Sequence, residues 1–329
     1  VHDYHLIPLG AELRKLGARQ RLGFFLHTPF PPADILETLP GHQELMQALF
    51  QYDVVGLQTQ PDVERLQGYV QRYAGGAVDG EQLRVQGRRL VLRAFPIGID
   101  AAQFQKVAMS AEGMREGGRM REALNGRALV IGVDRLDYSK GLLRRMAGYE
   151  LLLERYPALH RQVELLQIAP ISRGELKAYK DFRRELEHAA AGINGRYAQA
   201  DWTPVRYLNR ALPRRALGGL YRASRVGLVT PVRDGMNLVA KEYVAAQDPA
   251  DPGVLVLSRF AGAAQQMHEA LLVNPYDEAA MAEALHQALV MPLAERRERH
   301  AALMRGLLAY DVRRWRDEFV ASLSAAPAG

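Results

Sequence analysis

Short apolar runs alternate with amphipathic stretches along almost the whole chain. Segments 22–26, 54–57, 90–95, 128–133, 163–168, 226–230 and 254–257 are mostly apolar on both faces and bounded by turn residues. That is the pattern of parallel strands covered on both sides. Between them, apolar positions recurring every three or four residues predict helices over 44–52, 61–73, 142–156, 175–191, 238–247 and 278–290. Strand–helix alternation at this spacing predicts an α/β protein with doubly wound sheets. A domain boundary is expected after Phe95, where PIGID ends a strand, a polar Gly-containing helical stretch intervenes, and a fresh buried strand begins at Ala128. The DPADPG turn at 248–253 is a loop inside the second domain, because strand-like residues resume at once.

Composition narrows the class. A length of 329 residues suits two domains of about 150 each. The absence of cysteine excludes disulfides, thiolate nucleophiles and Cys-ligated zinc, and fits a reducing compartment such as the cytoplasm. No apolar run approaches the roughly 18 residues of a membrane span. The opening VHDYHLIPLG lacks both the layout of a signal peptide and an initiator Met, so the chain reads as a fragment. The formal net charge of +6 could serve nucleic acid, an anionic membrane or phosphorylated small molecules. The densest basic stretches, Arg183-Arg184 and Arg296-Arg297, are interleaved with Glu along helical patterns, which predicts solvated helix faces with i,i+4 pairs. No basic tail or nucleic-acid motif accompanies them, so neither nucleic acid nor membrane is expected as a partner.

Unusual polar residues fall just past the strands. His27 follows GFFL; Arg135, Asp137, Lys140 and Gly141 follow ALVIGVD; Arg173 follows ELLQIAPIS; Arg233 and Asp234 follow VGLVTPV. Open α/β sheets bind ligands beyond the carboxyl ends of their strands. Any one of these residues alone reads as a solvated loop charge; four loops converging on one sheet edge read as a site. Residues 172–175 spell S-x-x-E, a capping box that starts a helix near Arg173 and would aim free N–H groups at an anion such as phosphate. After the Gly235 turn, Asp234 stands just ahead of a helix and Glu242 two turns into it, with Leu238 on the face of Glu242. A carboxylate before the helix can accept sugar hydroxyls, first-turn N–H groups can hold phosphate oxygens, and the second carboxylate can grip a ribose diol. Arg135 and Lys140 supply two fixed positive charges where a diphosphate could depart.

Other chemistries lack their signatures. His2, Asp3 and His5 have no H-E-x-x-H companion, and no D-x-D occurs, so no metal is expected. Neither G-x-G-x-x-G after a strand nor G-x-x-x-x-G-K-[ST] is present, which removes the best support for dinucleotide and P-loop readings.

VHDYHL, GFFLHTPFP, VDRLDYSKGL, QIAPISRGE and above all LVTPVRDGMNLVAKEYVAAQDP resemble the motifs of trehalose-6-phosphate synthases, and the resemblance runs from residue 1 to about residue 320. It implies two facing Rossmann-like domains of the GT-B glycosyltransferase type with the active site in the cleft between them. Residues 1–98 would be the end of an incomplete acceptor-side domain, 99–310 the nucleotide-sugar domain, and 311–329 a terminal helix, over about 311–322, crossing back to the first. The implied reaction transfers glucose from UDP-glucose to glucose 6-phosphate with retention, without cofactor or metal.

Carried over residue by residue, Arg135 and Lys140 would hold the donor diphosphate and Asp234 the donor glucose. Asn237, Leu238 and Val239 would supply backbone positions around sugar and phosphate. Glu242 would bind the ribose, and main chain at Leu212 would read the uracil. His27 would touch the donor sugar, with Thr28 beside it near the anomeric centre, where it would bear on anomer selectivity. Asp3 and Arg173 would contact the acceptor glucose and its 6-phosphate. The family carries a long segment before VHDYHL, with a Gly-rich loop and further acceptor contacts, so the chain alone is expected to bind UDP weakly but not to synthesise product. A relative using another phosphorylated acceptor, such as glycerol 3-phosphate, would share the donor half. A non-catalytic nucleotide-sugar-binding module is the reading from a different class, disfavoured because every matched charged residue is present. A homo-oligomer is compatible with the pattern, which leaves UDP, GDP or ADP open as donor nucleotide.

Overall fold

The computed structural model describes residues 1–171 and 176–327. The chain divides into two compact units, Val1–Gly98 together with Asp311–Gly329, and Ile99–Tyr310.

The first unit is built on a five-stranded sheet of β1 (Gly23–Phe25), β2 (Val54–Leu57), β3 (Ala77–Asp79), β4 (Gln82–Val85) and β5 (Arg88–Ala94), in the order β1-β2-β5-β4-β3. β1, β2 and β5 are parallel, with β1 and β2 buried throughout, whereas β3 and β4 add an antiparallel edge. That edge escapes the search for two-sided apolar runs because alternate residues of β4 face solvent. Beyond β1, the first residues add a further parallel rung: Phe25 N–H donates to Val1 O at 3.0 Å and Asp3 N–H to Phe25 O at 2.8 Å. Helix Val312–Ala325 covers this sheet. Its Trp315 donates through Nε1 to Phe95 O at 3.1 Å. Phe319 lies over two strand glycines, where a Cβ would come within 3.0 Å of its ring at Gly23 and 2.8 Å at Gly56. Small residues on β1 and β2 are what let an aromatic helix face approach the sheet.

The second unit carries six parallel strands, β6 (Ala128–Val133), β7 (Val163–Ile168), β8 (Val205–Leu208), β9 (Val226–Val229), β10 (Val254–Ser258) and β11 (Leu271–Val273). Their order is β11-β10-β9-β6-β7-β8. From β6 the chain steps outward through β7 to β8, then returns to the other side of β6 and steps outward again through β9, β10 and β11. The loops leaving β6 and β9 therefore diverge, and the crevice between them is the topological switch point of the sheet.

Two expectations are corrected, and a third falls outside the described residues. The four loops do not share one edge: His27 follows β1 in the first unit, while Arg135, Lys140 and Asp234 follow strands of the six-stranded sheet. The capping box at 172–175 and Arg173 lie outside the described residues, and the described helix runs over Lys177–Tyr197. Arg296 is not a solvated charge. It is buried, paired with Asp251 at 2.6 Å and bonded to Pro252 O, so it pins the DPADPG turn, and Arg297 donates to Ala250 O of the same turn. Arg183 does make its i,i+4 pair, with Glu187 at 2.6 Å. Among the described residues no helix is long and apolar enough to cross a membrane.

Candidate active site

At the switch point the two diverging loops are tied together. Val232 N–H donates to Ser139 O at 2.8 Å. Gly141 adopts φ 66°, and a Cβ there would lie 2.5 Å from Thr230 O, so both the backbone conformation and the close approach require glycine. Across this seam Lys140 Nζ meets Asp234 Oδ2 at 2.6 Å, from 94 residues away, with both side chains largely buried. Asn237 Nδ2 donates to the same oxygen at 3.0 Å.

Asn237 sits at φ 72°, a conformation Asn tolerates, and caps the helix Leu238–Ala246 by accepting from Ala240 N–H at 3.3 Å. The N–H groups of Leu238 and Val239 belong to the first turn, which has no intrahelical acceptor. Asp234 is held from the other side by the loop after β10: its N–H donates to Phe260 O at 3.2 Å and its carbonyl accepts from Gly262 N–H at 3.1 Å. Asp137 turns back on its own loop to accept from Ser139 N and Oγ at 2.9 and 2.8 Å. Burial acts to raise the Asp137 carboxyl, but those bonds and the charges of Lys140 and Arg135 outweigh it and hold it below the usual carboxylate range. Arg135 is exposed on the same loop.

Two turns into the helix, Glu242 faces Arg214 Nη2 at 3.4 Å. Burial pushes its carboxyl above the usual range, and Arg214 only partly offsets this. Arg214 opens the helix Arg214–Ala223, just past the carboxyl end of β8, and its guanidinium stacks on Phe104 at 4.8 Å. Leu212 lies on the same β8-to-helix loop, half-buried. Sequence reasoning misses Arg214 because β8 itself goes unrecognised; Pro213 ahead of an apolar periodicity was the available signal.

In the first unit, His2 lies on the rung beside β1, bridged to Phe25, and His27 lies just past β1. Their Nδ1 and Nε2 atoms are 3.0 Å apart, and the His27 ring packs against Phe25. Burial holds both imidazoles below the usual histidine range, so the pair is neutral at neutral pH with one nitrogen donating to the other. Thr28 is exposed beside them. Asp3 adopts φ 71°, uncommon for a residue with a Cβ, and its Oδ1 is buried with no hydrogen-bond partner among the described residues.

A concavity at the opposite, amino ends of β6 and β9 is lined by several arginines, but Arg127, Arg222 and Arg225 are committed to Glu164, Asp248 and Asp251 at 3.1, 2.7 and 3.1 Å. The switch point is the better candidate.

The sequence model of glycosyltransferase family 20 matches residues 1–325. This chain belongs to glycosyltransferase family 20. It is 50% identical over 327 residues to the trehalose-6-phosphate synthase of Sinorhizobium fredii, an alignment covering 99% of this chain and 70% of that protein. Among solved structures, the UDP-forming α,α-trehalose-phosphate synthase of Burkholderia xenovorans in complex with glucose 6-phosphate superposes with a TM-score of 0.97 at 48% identity, covering 99% of this chain and 73% of that one. The E. coli protein bound with UDP-2-fluoro glucose gives a TM-score of 0.97 at 44% identity, covering 100% and 73%. This family member therefore has the α/β fold of GT-B glycosyltransferases, one sheet of five strands and one of six.

Proposed function

We propose that this chain carries the donor site of an enzyme that transfers glucose from UDP-glucose to glucose 6-phosphate with retention, giving α,α-trehalose 6-phosphate and UDP. The observation that carries the reading is the Lys140–Asp234 contact at the switch point, in a chain whose relatives are solved with glucose 6-phosphate and a UDP-glucose analogue. Lys140 and Arg135 take the diphosphate and stabilise the negative charge that grows on it as the glucosyl bond breaks. Asp234 spends Oδ2 on Lys140 and Asn237 and offers Oδ1 to sugar hydroxyls. First-turn N–H groups at Leu238 and Val239 hold phosphate oxygens, with the positive end of the helix dipole behind them. Glu242 accepts from the ribose diol, and main chain at Leu212 reads the base. On the acceptor side, Asp3 Oδ1 is a buried oxygen in want of a donor, which a glucose hydroxyl supplies. His27 contacts the donor sugar beside Thr28, and Arg173 takes the 6-phosphate.

A coupled UDP-release assay tests this, run with UDP-, GDP- and ADP-glucose against glucose 6-phosphate and glycerol 3-phosphate. In a protein spanning the relatives' full length, turnover is expected with UDP-glucose and glucose 6-phosphate; preference for glycerol 3-phosphate would overturn the acceptor assignment. Residues 1–329 alone are expected to bind UDP weakly without turnover, and robust turnover by them would overturn this second expectation. Arg173→Ala is expected to raise the acceptor KM and spare UDP affinity, and the reverse result would show the two assignments to be exchanged.

Glu242 makes donor binding pH-dependent. Its raised carboxyl takes up a proton at a pH above the ordinary carboxylate range, and a protonated Glu242 is a poorer acceptor for the ribose diol. The KM for UDP-glucose should therefore begin to climb, as pH falls, earlier than an unperturbed Glu would allow. In Glu242→Gln the KM should be higher throughout and lose this inflection. An inflection that survived the substitution would belong to another group.

A further inference from the structure

Under the Lys140–Asp234 pair lies a second charge pair that the assigned roles do not use. The side chain of Arg145 is fully buried. Its Nη1 donates to Asp134 Oδ2 at 2.7 Å and to Gln167 Oε1 at 2.9 Å, and its Nε donates to Thr230 Oγ1 at 3.0 Å. These acceptors stand at the carboxyl ends of three neighbouring strands: Asp134 just past β6, Gln167 near the end of β7, and Thr230 just past β9. Gly132 on β6 makes the room, since a Cβ there would lie 2.6 Å from both Arg145 Nη1 and Gln167 Oε1.

As a stability device this arrangement is poor. Burying a charge pair costs desolvation that its mutual attraction barely repays, and Arg145 Nη2 is buried with no partner among the described residues. As a geometric device it is well placed. Asp134 opens the loop that carries Arg135 and Lys140. Arg145 lies in the first turn of the helix Leu142–Arg155 that closes the same loop, with its N–H donating to Gly141 O at 2.9 Å. One ion pair therefore brackets that loop at both ends. Thr230 opens the other loop, the one that carries Asp234. A single guanidinium spans the crevice from below, and Asp134 also feels the charges of Lys140 and Asp234 above it.

We propose that Arg145 is a positioning residue, clamping the β6 and β9 loops so that Lys140 and Asp234 stay in register on the donor diphosphate and sugar. This rests on the donor-site reading above. Thr230→Val, made in a protein spanning the relatives' full length, tests it with little change of volume, removing only the hydroxyl that joins the clamp to the β9 loop. It is expected to keep a near-wild-type melting temperature and acceptor KM, while kcat falls about tenfold and UDP binding by calorimetry weakens, on the scale of a sub-ångström misplacement of reacting groups. Arg145→Lys keeps a charge for Asp134 but cannot reach three strand ends. Its kcat, per folded molecule, should fall further than that of Thr230→Val and less than that of Arg145→Met. Unchanged kcat in folded Thr230→Val would overturn the proposal. So would losses in the Arg145 variants that merely track the folded fraction and affect donor and acceptor parameters alike. If the unsubstituted protein itself failed to bind UDP, it is the donor-site reading that would fall.

Discussion

Lys140→Ala is expected to lower kcat by about 10³ and Arg135→Ala by about 10² in a protein spanning the relatives' full length, the range for loss of one preorganised electrostatic donor. The order follows from burial and pairing. Lys140 is largely shielded from solvent and bonded to Asp234 at 2.6 Å, whereas Arg135 is exposed, where water and salt screen its charge. Removing Lys140 also does more than delete a cation. It leaves the Asp234 carboxylate uncompensated in a site that must accept a diphosphate, so attraction turns to repulsion. The second substitution in Lys140→Ala/Asp234→Ala should therefore cost less than Asp234→Ala costs alone, a coupling that a double-mutant cycle on kcat/KM measures. Folding should be little changed, because both cations sit on a loop past a strand. Near-normal turnover in Lys140→Ala would place the diphosphate elsewhere.

How much of this is legible in the sequence depends on what covers each segment. Strands 54–57, 128–133 and 163–168 and helix 278–290 are readable to the residue, because the strands are covered on both faces and the helix buries one continuous stripe. β8 and β11 are edge strands with residues left half-buried, so the apolar runs that mark their neighbours are missing. Within the candidate site, Arg135, Lys140 and Asp234 stand out because each lies on a loop past a buried strand, and Glu242 by its spacing from Asp234 along the following helix. Their partners do not. Periodicity carries no strand order, and only the placement of β9 beside β6 brings Lys140 to Asp234. Arg145 reads as an ordinary charge on an amphipathic helix, and Gln167 as a stray polar residue in an apolar strand; each is explained only by the other. The pairing of Glu242 with Arg214 is hidden for the same reason.

Packing far from these charges should matter as much as the charges themselves. Helices Ala111–Leu124 and Arg214–Ala223 approach each other through glycine. A Cβ at Gly219 would stand 1.9 Å from Gly113 O and 2.8 Å from Gly113 Cα, and one at Gly117 would stand 2.7 Å from Gly219 O. These are backbone atoms, so no rotamer change can relieve the clash; the helices must move apart. Gly219→Ala is expected to cost about 3 kcal/mol, the upper end for overpacking, and to lower the melting temperature by about 10 °C for a unit of this size. Activity should suffer as well, because the displaced helix begins at Arg214, whose guanidinium meets Glu242. The KM for UDP-glucose should rise while the acceptor KM holds. Gly118 provides the control, one residue along from Gly117 with nothing within 4 Å of its added Cβ. There the same substitution only replaces a poor helix former by the best, so Gly118→Ala should stabilise by about 0.5–1 kcal/mol. Thermal denaturation followed by circular dichroism separates the two. Equal melting temperatures for Gly219→Ala and Gly118→Ala would mean that the two helices are not held at the glycine contact, and that Arg214 owes its position to the loop before it instead.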